Sequence, residues 1–192
     1  MDISMAEEID ILRLILEEHP EAIVFIKSKY LDDDDWEDAI EKNPEVFPYC
    51  KHPSYDMCRM AVEYKGEFLF HCPKEYWDDH LVIQAVITTP KIILDKRFPE
   101  NWKSFEMTKL AVDHDPSILG DVDLPEDEIK RVIRWKPSVI RFLKHPSEEL
   151  ICYALEKDPN LILTFKKITP TMLKTVRDIY PDFTIAFPDK RK

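Results

Sequence analysis

The feature that most constrains the fold is a nine-residue pattern that recurs from one end of the chain to the other. Its clearest copy, residues 154–162, reads Ala-Leu-Glu-Lys-Asp-Pro-Asn-Leu-Ile. Eight copies align, and seven of them have proline at the sixth position. The residues at that anchor position are Pro20, Pro44, Gly66, Pro90, Pro116, Pro137, Pro159 and Pro181. Successive anchors lie 21 to 26 residues apart, a period typical of a repeat architecture.

Residues 146–167 show what one repeat is made of. Pro146 followed by Ser-Glu-Glu predicts a helix start, since proline suits the first helical position and acids suit the positive end of the helix dipole. Four apolar residues then fall on one helical stripe, namely Leu150, Ile151, Ala154 and Leu155. Pro159 predicts the end of that helix, because the residue before a proline disfavours the α conformation. It also opens a second, shorter helix with the apolar residues Leu161, Ile162 and Phe165.

The other repeats supply equivalent apolar residues. On the first helix these are Ile11, Leu12, Ile15 and Leu16 in repeat 1, Met57, Cys58, Ala61 and Val62 in repeat 3, and Leu81, Val82, Ala85 and Val86 in repeat 4. On the second helix they are Ile23, Phe25 and Ile26 in repeat 1, and Val139, Ile140, Phe142 and Leu143 in repeat 6. Both helices of each repeat therefore have a face to bury.

The spacing predicts an all-α fold, a right-handed stack of about eight short helix-turn-helix repeats, or α-solenoid. Of the 15 prolines, 14 lie either at an anchor or at a following helix start. The predicted repeats span 9–30, 32–52, 53–72, 73–98, 99–124, 125–145, 146–168 and 169–188. Because each solenoid repeat buries its stripe against its neighbours, residues 1–192 are expected to form a single domain. The alternative is an irregular bundle that alternates long and short helices.

Composition limits the cellular compartments in which the protein is expected and the kinds of binding site that it can contain. No run approaches the roughly 18 apolar residues of a membrane span, and the acidic N-terminus lacks a signal-peptide pattern. We therefore expect a cytoplasmic protein without a membrane partner. With only two glycines, a glycine-rich phosphate loop is excluded. The four cysteines are expected to be free thiols.

Charge is distributed unevenly along the chain. The net charge of −11 divides into −11 for residues 1–48, −7 for 49–128 and +7 for 129–192. The acidic part centres on a run that supplies the candidate partner-binding residues Asp33, Asp34, Asp35, Glu37 and Asp38. Such a run can orient a basic partner. The alternative is structural, with one aspartate capping the helix that carries Trp36 and its neighbours in the first turn.

Three tryptophans are further candidates for partner contact. Repeats 4 and 5 are longer, through residues 74–80 and 101–105, and the additions predict an extra turn on the first helix of each. Insertions in repeat proteins cluster on binding faces, which singles out Trp77 and Trp102; covering a gap between helices is the alternative. Trp135 stands at a solvent-facing position near Arg131 and Arg134. Aromatic and basic residues together can bind nucleic acid or an acidic protein surface, or the basic stems can pack over the ring.

Metal binding and catalysis find little support in the sequence. Six potential zinc ligands lie within 31 residues, namely Cys50, His52, Cys58, His71, Cys72 and His80. Their places in the repeat argue against a site, since Cys58 takes a core position and the residue before a helix-starting proline recurs as His52, Cys72 and His145. No nucleophile lies in a recognisable catalytic signature. We expect no metal, no cofactor and no enzymatic activity.

The motif A-[VIL]-x-x-[ND]-P-x-[VIL]-[IL], spaced by about 22 residues, resembles a family of short α-helical hairpin repeats of unknown function. Such repeats occur in proteins of large viruses, phages, protists and intracellular pathogens. The resemblance covers nearly the whole chain, and it departs at Gly66 and in repeats 4 and 5. It implies a non-enzymatic helical scaffold, and it raises a viral or pathogen origin, with the host cytoplasm as the location.

These observations predict a protein-interaction module, such as an adaptor or an inhibitor of a host protein, whose partner carries a basic surface. One alternative is an acidic mimic of nucleic acid that blocks a nucleic-acid-binding protein. Another is head-to-tail self-assembly of the acidic end on the basic end, which makes a homo-oligomer. Direct nucleic-acid binding is disfavoured by the net charge of −11.

Overall fold

The computed structural model describes residues 5–183, with side chains from residue 8 onward. Within that range the regular structure is entirely helical, and α-helices alternate with short 3₁₀ helices. The α-helices are α1 (Met5–Glu18), α2 (Asp33–Lys42), α3 (Tyr55–Tyr64), α4 (Asp79–Thr88), α5 (Phe105–His114), α6 (Glu126–Trp135), α7 (Glu148–Lys157) and α8 (Pro170–Ile179). The 3₁₀ helices are Pro20–Phe25, Ser28–Tyr30, Pro44–Tyr49, Gly66–His71, Lys74–Tyr76, Pro90–Leu94, Glu100–Trp102, Pro116–Gly120, Pro137–Phe142 and Pro159–Thr164. The predicted all-α repeat architecture is confirmed.

The Asn/Asp-Pro step of the motif makes the junction between the two helices of a repeat. Asp115 and Asp158 have extended backbone conformations, as expected before proline, and Asn43 has φ of −145° and ψ of 89°, outside the α region. Each side chain accepts a hydrogen bond from the backbone N–H two residues later, at 3.2, 3.0 and 3.0 Å. This local bond competes with continuation of the α-helix. The proline then opens a 3₁₀ helix, so the predicted second helix exists but is of the tighter type.

The core is built from a few fixed positions of the repeat. The second and third residues after the anchor are buried in every 3₁₀ helix from repeat 2 to repeat 7, as Val46 and Phe47, Phe68 and Leu69, Ile92 and Ile93, Ile118 and Leu119, Val139 and Ile140, and Leu161 and Ile162. The stripes predicted on α3 and α4 are fully buried. Burial follows the predicted periodicity in α3 and α4 because each of these helices packs against two 3₁₀ helices.

The chain divides into two compact units, Met1–Ala111 and Val112–Lys192. In the first unit α2, α3 and α4 pack side by side, and the longer 3₁₀ helices form a second row in the same order. In the second unit α6, α7 and α8 pack in sequence, and Pro116–Gly120 packs on Pro137–Phe142. Each unit therefore has two rows of helices. A single repeat domain over residues 1–192 stays a prediction, and Pro188 lies outside the described residues.

The extra turns predicted on α4 and α5 are wrong. Both helices have ten residues, like α3, and the added residues form the separate 3₁₀ turns Lys74–Tyr76 and Glu100–Trp102. In repeat 4 the reason is a new cap. The Asp78 side chain accepts a hydrogen bond from the Leu81 backbone N–H at 2.8 Å, so the α-helix starts afresh there. An equivalent turn, Ser28–Tyr30, precedes α2 and was not predicted.

The stripe predicted on α1 is buried only in part. Leu16 is buried, whereas Ile11 and Ile15 are exposed. Within residues 5–183 no preceding repeat packs against this face, which removes the neighbour that buries the stripe in later repeats. None of the described helices is long and apolar enough to cross a membrane.

Helix caps also join consecutive repeats. Ser54, the N-cap of α3, accepts a hydrogen bond from the Met57 backbone N–H at 3.2 Å and donates one to the Glu37 carboxylate on α2 at 3.3 Å. In repeat 7 the cap is Ser147, so Pro146 precedes the cap and does not occupy the first helical position as expected. The Ser54 cap thus does two things, starting α3 and bonding it to α2.

Removing such a cap should cost measurable stability. We expect Ser54→Ala to lower the free energy of unfolding by about 1–2 kcal/mol, because both the Met57 N–H and Glu37 lose a partner. Urea unfolding followed by circular dichroism measures this change. Ser54→Asn is the control, since its side chain can cap the helix and also donate to Glu37. Equal stability of Ser54→Ala and the parent protein would contradict a capping role.

Candidate functional site

The first unit contains a cavity of about 630 Å³ that we call the aromatic groove. It lies where the 3₁₀ helix Pro20–Phe25, the N-terminal part of α2 and the end of the 3₁₀ helix Pro44–Tyr49 meet. Its apolar walls come from Ile23, Val24, Ile26, Leu31, Trp36, Tyr49 and Cys50. A cavity of this size and composition suits one or two apolar side chains of a binding partner.

Two exposed aromatic residues lie in the groove or next to it in the chain. Phe25 is 87 % exposed, and it stands in the chain between Val24 and Ile26, which both line the cavity. Tyr49 lines the cavity itself and is 63 % exposed. The two residues occupy the same repeat position, each being the last residue of its 3₁₀ helix, five residues after Pro20 or Pro44.

The sequence placed Phe25 among the packing residues of repeat 1, and this prediction is wrong. Residues two and three after the anchor are buried in repeats 2 to 7, whereas Phe25, the fifth residue after Pro20, ends its 3₁₀ helix and is exposed. In repeat 1 the buried residue is therefore Ile23. The tighter 3₁₀ turn changes which residue faces inward.

Charged side chains border the groove on two sides. Lys27, Lys51 and His52 contribute cations or a potential cation, and Asp32 and Asp33 contribute carboxylates. Lys27 and Lys51 are exposed and make no ion pair with a described residue. Asp32 is already engaged, because its carboxylate lies 2.9 Å from the Arg13 guanidinium. The groove thus offers two available lysines and one available aspartate.

Cys50 is the one thiol in the groove, and its environment disfavours reactivity. Burial raises the pKa of the Cys50 thiol above its ordinary value of 9.0, and a hydrogen bond from the His52 backbone N–H opposes this only in part. The thiol therefore stays protonated at neutral pH. Since the thiolate is the nucleophile, this residue serves as an apolar wall.

The acidic run does not act as one surface. Asp32 and Asp35 form a reciprocal capping box, in which each carboxylate accepts the other's backbone N–H at 3.0 Å. The bond from the Asp35 N–H is the main cause that lowers the pKa of Asp32, and Arg13 contributes to it. Glu37 accepts the Ser54 hydroxyl. The structural interpretation of the run is therefore confirmed for Asp32, which caps the helix that carries Trp36.

The remaining acids of the run separate onto two sides of α2. Asp33 lines the aromatic groove. Asp34 and Asp38 line a smaller cavity of about 290 Å³, together with Asp35, Arg13 and Lys42. Acidic and basic groups both line this second cavity, so it is not a purely acidic surface. A docking role for Asp33, Asp34 and Asp38 stays a prediction.

Trp77 and Trp102 lie at the ends of the added 3₁₀ turns of repeats 4 and 5. Trp77 is half-buried, its indole N–H donates to the Cys72 carbonyl at 3.3 Å, and its ring centroid lies 6.2 Å from that of Phe70. These contacts favour the gap-covering alternative. Trp102 is also half-buried, at the last residue of Glu100–Trp102.

The basic candidates lie on α6 in the second unit. Arg131, Arg134 and Trp135 share one face of the helix, and Trp135 is 43 % exposed. Nearby lysines are used inside the unit. Lys130 bridges Glu126 and Glu149 at 3.0 and 2.7 Å, Lys136 reaches the Asp113 carbonyl at 3.1 Å, and Lys144 reaches Asp121 at 2.8 Å. These lysines mainly connect repeats, which weakens a nucleic-acid interpretation of this cluster.

A sequence signal for the aromatic groove did exist. The triplet aromatic–apolar–Lys occurs as residues 25–27 and 49–51, at equivalent positions after Pro20 and Pro44. This signal was not identified from the sequence because Phe25 was assigned to the core of repeat 1. Among residues 5–183 no group of three or more His, Cys, Asp or Glu side chains is placed to hold a metal ion.

The functional interpretation rests on the residues of the groove alone. No protein-family model, no curated protein and no solved structure matches the chain.

Proposed function

We propose that this chain is a non-enzymatic protein-interaction module and that the aromatic groove is its docking surface. The observation that carries the proposal is the 87 % exposure of Phe25, next in the chain to Val24 and Ile26, which line the cavity. Aromatic side chains are enriched at binding hot spots, where burying one ring can contribute 2 kcal/mol or more. Together with Tyr49 and Trp36, Phe25 supplies such anchors within one small area.

The rest of the molecule supports a scaffold role. Repeats of this kind present side chains from successive units on a continuous surface. In the groove the presenting elements are the 3₁₀ helices Pro20–Phe25 and Pro44–Tyr49 of two consecutive repeats, which pack directly on each other. We further propose that the protein acts in the cytoplasm as an adaptor or an inhibitor, in keeping with the repeat family that it resembles.

The alternative of an acidic nucleic-acid mimic draws less support from the side chains. A mimic needs free carboxylates in rows, whereas several acids in the first unit act as caps or ion-pair partners, among them Asp32, Asp35, Asp78 and Asp95. A basic partner surface remains compatible with the proposal through Asp33, Asp34 and Asp38.

Affinity capture with matched variants tests the proposal. The bait is incubated with nuclease-treated lysate of the native or host cell, and captured proteins are identified by mass spectrometry. We expect the parent protein to capture one stoichiometric protein, and Phe25→Ser/Tyr49→Ser to lose it, with affinity reduced about 30-fold or more. Leu163→Ser is the control, because Leu163 is an apolar side chain of the second unit that is 58 % exposed.

Three outcomes would contradict the proposal. Capture that survives Phe25→Ser/Tyr49→Ser would place the docking surface elsewhere. Recovery of the bait alone in multiple copies would favour self-assembly. A failure to capture any protein at low or high salt would remove the interaction module itself.

A further inference from the structure

Building on the docking function proposed above, we propose that the aromatic groove binds an extended acidic peptide segment. In this segment an apolar or aromatic side chain enters the groove, and flanking carboxylates meet Lys27 and Lys51. The partner is thus defined by its chemistry, a short linear motif that combines carboxylates with a large apolar residue.

The inference begins with a repeated structural element. Residues 25–27 and 49–51 each consist of an exposed aromatic residue, a half-buried residue and an exposed lysine. The middle residues, Ile26 and Cys50, have extended backbones, with φ and ψ of −83° and 139° and of −71° and 116°. In an extended chain the residues on either side of such a position point the same way. Each triplet therefore presents a ring and an ammonium group side by side.

The two triplets lie on adjacent elements. The 3₁₀ helices Pro20–Phe25 and Pro44–Tyr49 pack against each other, and both contribute walls to the same groove. Lys27, Tyr49 and Lys51 line the groove, and Phe25 adjoins it between Val24 and Ile26, so each of the two repeats contributes one ring and one lysine. An extended ligand matches this arrangement when an apolar and a charged side chain stand two residues apart, because residues i and i+2 of an extended chain face the same side.

The charged residues that line the groove indicate the sign of the charge that a ligand should carry. Residues 1–111 contain 24 acids and 13 bases, and many of those bases are paired with acids. Lys27 and Lys51 are not paired with a described residue although acids are abundant. Of the two carboxylates in the groove, Asp32 is held by Arg13. The available charge on this wall is therefore that of two ammonium groups against the single Asp33.

A comparison inside the chain supports this assignment. The same triplet occurs as Phe142-Leu143-Lys144 in the second unit. There the lysine already holds Asp121 at 2.8 Å, and the ring is half-buried, with the Arg141 guanidinium 5.0 Å from its centroid. Residues 142–144 thus make two contacts that residues 25–27 and 49–51 lack, namely a carboxylate on the lysine and a cation over the ring.

The acidic surroundings favour a peptide over a single-stranded nucleic acid. A nucleic acid carries one negative charge at every nucleotide, and all of them would meet the excess acids of the first unit. A peptide can place carboxylates at the two lysines alone. The two lysines are a local positive charge within an acidic unit. They would then favour peptides whose carboxylates are spaced to reach both of them.

Binding of defined peptides to the full chain tests the inference. The probes are acetyl-Gly-Asp-Leu-Phe-Asp-Gly-amide, the same peptide with Asn for Asp, and the same peptide with Lys for Asp. Affinities are measured by isothermal titration and by changes in the NMR signal of the Trp36 indole. We expect the Asp peptide to bind about 5-fold or more tightly than the Asn peptide, and the Lys peptide to bind most weakly.

Variants assign the effect to the two lysines. Lys27→Ala/Lys51→Ala should abolish the preference for Asp over Asn, while Lys166→Ala/Lys167→Ala, which removes the same charge from exposed positions of the second unit, should leave it unchanged. Tighter binding of the Lys peptide would overturn the inference, as would equal affinity of the Asp and Asn peptides. Displacement of the Asp peptide by a short oligothymidylate at equal concentration would assign the groove to nucleic acid and overturn it too.

The two proposals can fail separately. If no peptide binds but capture from lysate depends on Phe25 and Tyr49, the acidic-peptide inference is wrong and the docking function stands. If the Asp peptide binds as expected but no cellular protein is captured, the groove chemistry is right and the proposed interaction module is contradicted.

Discussion

Gly66→Pro is expected to destabilise the protein by about 3 kcal/mol, although proline fills this position in the seven other repeats. The Gly66 backbone N–H donates to the Thr89 hydroxyl at 2.9 Å, and proline has no such donor. A Cβ at Gly66 would also lie 2.9 Å from the Thr89 Cβ and closer still to the Ala85 carbonyl oxygen. Proline, the residue that would complete the sequence motif at position 66, therefore clashes with the neighbouring helix α4.

Urea and thermal unfolding measure this effect, with an expected fall in Tm of about 6–12 °C. Gly66→Ala separates the two causes, since it keeps the N–H and adds only the Cβ. It should cost less than Gly66→Pro and more than an ordinary surface substitution. If Gly66→Pro proved as stable as the parent protein, close approach of α4 to this backbone would be ruled out.

Phe47→Ala is expected to lower the free energy of unfolding by about 3–5 kcal/mol. Phe47 is 1 % exposed, and its ring centroid lies 5.8 Å from that of Phe68 in the next 3₁₀ helix. The truncation leaves a cavity between two consecutive repeats, whose backbones are fixed by their own α-helices. The loss includes both apolar burial and the contact between the rings.

The matched control for this variant is Phe25→Ala. Both phenylalanines belong to 3₁₀ helices that follow an anchor proline, yet Phe25 is 87 % exposed. We expect Phe25→Ala to change the free energy of unfolding by less than about 0.5 kcal/mol, while it impairs binding. Urea unfolding of the two variants side by side decides the point. A large stability loss in Phe25→Ala would show that this ring serves the fold and not a partner.

The repeat, its register and most of its core could be predicted from the sequence. The pattern around Ala154 and Pro159 specifies where an α-helix ends, because proline and the preceding Asp act on backbone conformation within a few residues. Apolar periodicity also identified the buried stripes of α3 and α4. These signals are local, so they can be read without knowledge of what surrounds them.

The candidate site could be predicted only in part. The sequence made Asp35 and Glu37 candidate partner contacts, with a structural role as the alternative, and the structure uses them in a capping box and in a contact with Ser54. Trp77 looked like a contact residue, and it covers the Cys72 carbonyl and Phe70. In each case the deciding partner belongs to another turn or another element of the fold, which spacing along the chain does not reveal.

The sequence by itself determined the all-α repeat, the place of each anchor and the residue types at each repeat position. Tertiary structure alone decided which of those residues stay exposed, because exposure depends on the neighbour that packs against each position. Phe25 and Phe47 illustrate the difference, as do Lys51 and Lys144. Whether a phenylalanine ring is buried or exposed depends on the residues that the adjacent repeat places opposite it. The same is true of whether a lysine forms an ion pair.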